Sequence, residues 1–206
     1  MSKHSNIEVV LFDFGGVIAT EGFKEGLALI AQGNGLNEEA LFQKASDAIY
    51  LTGYITGKAP EHTFWDRLRE ETGIKGKDAD FRQDILSRFI VRKWMLALAD
   101  KLKGANIAVG ILSDQTDYLD ELNARDDFFK RFDHVFNSYY LGKGKRDPGL
   151  FDDIAHILNV EAGRILFIDD NLENVQRARQ KGWQAIHYVT EEAFQQDFRQ
   201  YISLAP

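Results

Sequence analysis

Residues 7–12 end in the apolar tetrad Val9-Val10-Leu11-Phe12 and run straight into Asp13, Phe14 and the pair Gly15-Gly16. A short apolar run rich in β-branched and aromatic side chains, stopped by glycines, predicts a strand buried on both faces. Burial on both faces in turn predicts a parallel sheet, since crossover helices cover both of its surfaces. Comparable runs recur at residues 107–112, 135–136, 165–168 and 185–189, making five candidate strands. Helical patterns follow at residues 115–122, 148–158, 172–181 and 191–204, with Pro148 suited to a first turn and Gly182 to a stop. From residue 105 onward strand and helix alternate. The expected class is α/β, with a doubly wound, parallel, five-stranded Rossmann-like sheet.

Residues 21–103 break that alternation. Leu27, Ile30 and Ala31, then Leu41, Phe42, Ala45 and Ile49, then Phe64, Trp65 and Leu68, then Phe81, Ile85, Leu86, Phe89 and Ile90 follow helical stripes. Four helices of this kind predict a helical-bundle cap inserted after the first strand, with residues 1–20 and 104–206 forming the α/β core and 21–103 the cap. Such an insert lies over the carboxyl edge of the sheet, where open α/β sheets bind ligands.

Charge and composition narrow the partners. The 25 basic and 32 acidic residues leave a net charge of −7, with Lys and Arg spread along the chain, which offers nothing to attract nucleic acid. The absence of cysteine rules out disulfides and thiolate metal sites. No stretch approaches the roughly 18 apolar residues that span a bilayer. The polar residues 1–8 have no apolar segment behind them, so a cytoplasmic protein with no membrane partner is expected.

Four polar features each follow an apolar strand: Asp13, then Ser113-Asp114, then Lys145, then Asp169-Asp170. Parallel strands would gather all four in one crevice. A nucleophilic carboxylate, a hydroxyl, an ammonium and paired acids suit phosphoryl transfer, which depends on positioning and on neutralising the transferring oxygens. The paired acids point to a hard cation, Mg²⁺, which takes one or two carboxylates together with waters and substrate oxygens. Each feature also has a plainer reading. Asp13 is placed to cap a turn, Ser113 to cap a helix starting near Gln115, and Asp169-Asp170 to cap one starting near Leu172. Lys143 competes with Lys145.

In order and in composition these segments resemble the four motifs of the haloacid dehalogenase superfamily over nearly the whole chain. Val9 to Val17 resembles the first motif, which implies Asp13 as nucleophile and metal ligand, the Gly15 carbonyl as a further ligand, and Gly16 beside the phosphate. Ile111-Leu112-Ser113-Asp114 resembles the second, implying Ser113 and Asp114 as phosphate contacts. Lys145, in the run Lys143-Gly144-Lys145-Arg146-Asp147-Pro148, resembles the third motif's lysine. Phe167 to Val175 resembles the fourth, with Asp169 and Asp170 as metal ligands and Asn174 orienting the site beside the phosphate. The insert resembles the family's alpha-helical cap, whose closure helps exclude water.

The resemblance implies a Mg²⁺-dependent phosphatase working through an aspartyl-phosphate on a small phosphomonoester. One subset with glycine at position 15, similar to sugar-1-phosphate phosphatases, implies a sugar phosphate. Typical members carry a second aspartate there as general acid and base. Its loss removes an effect of roughly 10²–10⁴ in rate and predicts a preference for good leaving groups. Arg146 and Asp114 also depart from the usual proline and asparagine. Two rivals stand beside this reading: a metal-free 2-haloacid dehalogenase, disfavoured by the acidic pair, and a phosphate-ligand binder without turnover. Tyr50, Tyr54, His62, Trp65 and Arg67 are candidate substrate contacts in the cap, although most aromatics at helical spacing are core. His134, His156 and His187 are read as structural.

Overall fold

The computed structural model describes residues 6–204, so residues 1–5 of the polar N-terminal stretch and residues 205–206 lie outside the described residues. Five strands, β1 (Val9–Phe12), β2 (Ala108–Ser113), β3 (His134–Asn137), β4 (Ile165–Asp169) and β5 (Gln184–His187), form one sheet. Every pairing is parallel and the order is β3-β2-β1-β4-β5. The chain reverses its direction of travel across the sheet between β1 and β4, which opens a crevice at their carboxyl ends.

Side-chain alternation divides the sheet into two cores. Val10 and Phe12 point to one face with Val109, Ile111, Leu166, Ile168 and Ile186. Val9 and Leu11 point to the other with Leu112, Ile165, Phe167 and Ala185. Helices α6 (Tyr118–Asp126) and α10 (Glu191–Tyr201) cover the first face, while α8 (Gly149–Leu158) and α9 (Leu172–Gln180) cover the second. A single turn, α7 (Ser138–Leu141), follows β3. Both faces are thus shielded from water, as the unbroken apolar tetrad requires.

Between β1 and β2 lie α1 (Gly22–Gly33), α2 (Glu38–Leu51), α3 (Glu61–Thr72), α4 (Asp78–Arg88) and α5 (Lys93–Gly104). The first four match the four apolar stripes, except that Phe89 and Ile90 lie beyond the end of α4, and they share a core built on Leu27, Ala45, Phe64, Trp65 and Ile85. The fifth was not among the expected elements. Its buried residues Met95, Ala99 and Leu102 pack against β2, so α5 serves the sheet and returns the chain to it. Another difference is the helix expected from residue 115, which begins at Tyr118. Gln115 and Thr116 are buried and use their side chains on the Thr116 and Tyr118 N–H groups, which holds this stretch as a loop. Among the described residues no helix is long and apolar enough to cross a membrane.

Candidate active site

β1 delivers Asp13 to the crevice and hydrogen bonds hold it there. Its N–H donates to the Ile168 carbonyl at 2.8 Å, tying the end of β1 to β4. Its Oδ1 accepts from the Phe14 N–H at 2.7 Å and from the Ser113 hydroxyl at 2.8 Å. Its Oδ2 lies 2.7 Å from Lys145 Nζ. Burial pushes the Asp13 carboxyl well above the usual range, Lys145 opposes it, and Asp169 and Asp170 push the same way as burial.

After Asp13 the chain turns tightly through Phe14–Ile18. Gly16 sits at φ +74°, and a Cβ built there would lie 2.1 Å from Asp170 Oδ2. The backbone conformation and the close approach of the carboxylate both demand glycine. Arg92 secures the same turn by donating to the Gly16, Val17 and Ala19 carbonyls.

Lys145 is 1% exposed, and its ammonium bridges Asp13 and Asp169, 2.7 and 2.6 Å away. Burial works to lower its pKa, but Asp13, Asp169 and Asp114 outweigh it and hold the ammonium charged. Lys143 instead pairs with Asp153 outside the crevice. Geometry therefore selects Lys145 over its neighbour.

Asp169, fully buried at the end of β4, accepts from the Asn171 N–H at 2.7 Å and from Asn174 Nδ2 at 3.1 and 3.3 Å. Arg177 in turn donates to Asn174 Oδ1 at 2.9 Å. Asn171 supplies the cap of α9, so the acidic pair is free of that duty. One oxygen each from Asp13, Asp169 and Asp170 lie within 4.8 Å of one another. Burial, reinforced by Asp169, pushes the Asp170 carboxyl up to about 6. Three buried or half-buried carboxylates converging around one ammonium are under-neutralised, a donor set that fits a hard divalent cation.

Ser113 does not cap a helix, since α6 starts later. Asp114 directs its carboxylate to the Lys145 N–H, at 2.8 and 3.0 Å, and to the Tyr50 hydroxyl of α2. It thereby fixes the Lys145 loop to the cap. Arg146 adds a second tie, its guanidinium stacked 3.8 Å from the Tyr50 ring centroid. The two departures from the usual motifs thus meet on one cap residue.

A cavity of about 880 Å³ opens between cap and core. Asp13, Gly15, Ser113, Lys145 and Asp170 form its floor, while Phe23, Phe42, Ile49, Tyr50 and Ile55 line the cap side interspersed with the polar Lys24, Gln43, Ser46 and Asp47. Of Tyr50, Tyr54, His62, Trp65 and Arg67, the cap residues expected to touch substrate, Tyr50 alone lines this cavity. Trp65 is core, its indole N–H bound to Glu61, and Tyr54 donates to Asp117 at 2.5 Å. Glu21, at the head of α1, also lines the cavity and had escaped sequence reasoning. Burial, with Asp170 adding to it, pushes the Glu21 carboxyl up to about 7. No motif flags it, because only the cap's fold carries it to the turn at Gly15.

A family model described as haloacid dehalogenase-like hydrolase matches residues 7–182. The chain belongs to this family. It is 26% identical to a sesquiterpene phosphatase of Aspergillus oryzae, over 96% of this chain and 98% of the relative. Among solved structures, a haloacid dehalogenase family enzyme of Bacteroides thetaiotaomicron, in complex with magnesium and inorganic phosphate, superposes with a TM-score of 0.74. That match has 22% identity and covers 94% of this chain and all of the other. The L-2-haloacid dehalogenase of Xanthobacter autotrophicus follows the same fold at 18% identity and a TM-score of 0.66, over 97% of this chain and 85% of the other. At these identities the two structures speak for the fold.

Proposed function

We propose that this member of the family is a Mg²⁺-dependent phosphomonoester hydrolase working through an aspartyl-phosphate on Asp13. The observation that carries the reading is the triangle of Asp13, Ser113 and Lys145 beside the acidic pair, on the floor of a cavity. Asp13, Asp169, Asp170 and the Gly15 carbonyl would hold the ion, which supplies positive charge to the transferring oxygens when bound. Lys145 sets the charge of the floor and holds the Asp13 carboxylate in place. Ser113 fixes the rotation of that carboxylate by donating its hydroxyl proton to Asp13 Oδ1, and would turn that proton to a phosphate oxygen when substrate binds. Asp114 and Gly16 contribute at the phosphate through their main chain, and Asn174 keeps Asp169 oriented. The core, residues 1–20 and 104–206, performs the chemistry. The cap, residues 21–103, closes over the substrate through α1–α4, with α5 as the return to the sheet.

The substrate is a small phosphorylated metabolite. Although glycine at position 15 resembles the sugar-1-phosphate subset, the apolar residues Phe23, Phe42, Ile49 and Ile55 set among the cap's polar ones suit an organic part with an apolar face, as does the Aspergillus relative's sesquiterpene phosphatase activity. A panel of terpenyl, aryl and sugar monophosphates with Mg²⁺ or chelator, using Asp13→Asn as the blank, tests the proposal. Phosphate release that needs both Mg²⁺ and Asp13 is expected. Release surviving Asp13→Asn would overturn the nucleophile, and halide release from 2-chloropropionate in chelator would favour the dehalogenase. Occupancy by beryllium fluoride without turnover on any substrate would favour the binder.

A further inference from the structure

Gly15 has φ −64° and ψ 138°, a conformation open to any residue, so the turn itself does not require glycine there. What fills the space is Glu21. A Cβ built on Gly15 would lie 2.6 Å from Glu21 Oε2 and 3.7 Å from its Cδ. A side chain starting at position 15 and the carboxyl head of Glu21 compete for one place. Phe89 Cε1 also borders that place, 3.5 Å from the same point.

Glu21 reaches this position from the N-cap of α1, where its Oε1 accepts the Lys24 N–H at 3.3 Å. Glutamate is not among the side chains preferred at N-caps, so capping alone is a weak account of it. It lines the cavity together with Asp13 and Ser113, yet it is outside the three-carboxylate cluster. The site's ammonium is committed to Asp13 and Asp169, which leaves the Glu21 carboxyl unclaimed by Lys145.

We infer that Glu21 is the proton-transfer residue of this site, bringing from the head of α1 the carboxyl that position 15 lacks. The inference rests on the phosphomonoesterase reading above. In the first half-reaction Asp13 attacks phosphorus, the bond from phosphorus to the leaving oxygen breaks, and the Glu21 carboxyl gives its proton to that oxygen. The products are a neutral alcohol, the aspartyl-phosphate and a Glu21 carboxylate. In the second, the carboxylate takes a proton from water, whose oxygen attacks phosphorus as the bond to Asp13 breaks. Inorganic phosphate leaves, and Asp13 and Glu21 return to their starting states. With this acid in place, alkyl alcohols become accessible leaving groups, which the sequence alone argued against.

The test measures kcat/KM and pre-steady-state product release on p-nitrophenyl, phenyl and benzyl phosphates for the parent, Glu21→Gln, Glu21→Ala and Glu21→Ala/Gly15→Asp. Glu21→Gln keeps an oxygen for Lys24. It should lose at least about tenfold more on benzyl than on p-nitrophenyl phosphate, within the roughly 10²–10⁴ that general acid catalysis supplies. On p-nitrophenyl phosphate it should release a burst of nitrophenol, because water attack on the aspartyl-phosphate then limits turnover. Adding Gly15→Asp to Glu21→Ala should restore at least about tenfold on benzyl phosphate, since the vacated place accepts a carboxyl from position 15. An equal loss across the series without a burst, or no loss, overturns the role of Glu21 while leaving phosphatase activity standing. A parent inactive on all three substrates, or matched by Asp13→Asn, overturns the phosphomonoesterase reading and this inference with it.

Discussion

Replacing Lys145 with methionine keeps the length and apolar stem of the side chain and deletes its charge. Nζ is buried between Asp13 Oδ2 at 2.7 Å and Asp169 Oδ2 at 2.6 Å, so the change leaves two buried carboxylates without their cation. Removing one partner of a buried pair costs about 3–5 kcal/mol. For a chain of this size each kcal/mol is worth about 2–4 °C, so the metal-free variant should melt roughly 6–20 °C below the parent at neutral pH. Burial already holds the Asp13 carboxyl above its usual range, and losing Lys145 lifts it further. A carboxyl raised in the folded state contributes stability below its unfolded value, near 4, and loses it as pH rises through the folded value. The deficit is therefore largest at neutral pH and narrows as pH falls toward about 4. Thermal melts in chelator from neutral to acid pH read this directly, and adding Asp13→Asn should recover part of the loss. A neutral-pH melt within about 2 °C of the parent, or a deficit that widens in acid, would refute the electrostatic account of this site.

Gly16→Ala should cost about 1–2 kcal/mol for a left-handed residue and also drive Asp170 from its place, which a melt and a Mn²⁺-binding titration would show together. Unchanged cation affinity would separate Asp170 from the ion. Tyr50→Phe removes the hydroxyl that α2 lends to Asp114, so KM should rise by up to about tenfold with kcat less affected. Equal falls in kcat and kcat/KM would instead place that contact in the chemical step. Mg²⁺ at about 100 times its Kd should stabilise the parent by about 2.7 kcal/mol in a melt, and an Asp169→Asn/Asp170→Asn variant should lose that gain.

Much of this fold is a consequence of local pattern. The tetrad Val9-Val10-Leu11-Phe12 can be buried only with cover on both faces, and that requirement alone leads to a parallel sheet with helices above and below. The stripes of α1–α4 follow in the same way from the 3.6-residue period. The loop at Gln115 and Thr116 was less legible, because buried side-chain hydrogen bonds there override helical spacing. By sequence, residues up to 103 count with the cap, and only the packing of α5 through Met95, Ala99 and Leu102 against β2 shows that this last helix serves the sheet.

The site divides along the same line. Asp13, Ser113, Lys145 and Asp169-Asp170 were recognisable because each follows a strand, and a parallel sheet brings all strand ends to one edge. Spacing to Asp147-Pro148 favours Lys145 while leaving Lys143 as a competitor, and sequence cannot say what Asp114 and Arg146 do, since those answers depend on which carboxylate or ring lies within a few ångströms. The sequence likewise makes Gly15 a missing carboxyl. Only the packing of α1 against the turn after β1 puts Glu21 in that gap, because a long-range approach between a cap helix and a strand end leaves no periodic trace in the chain.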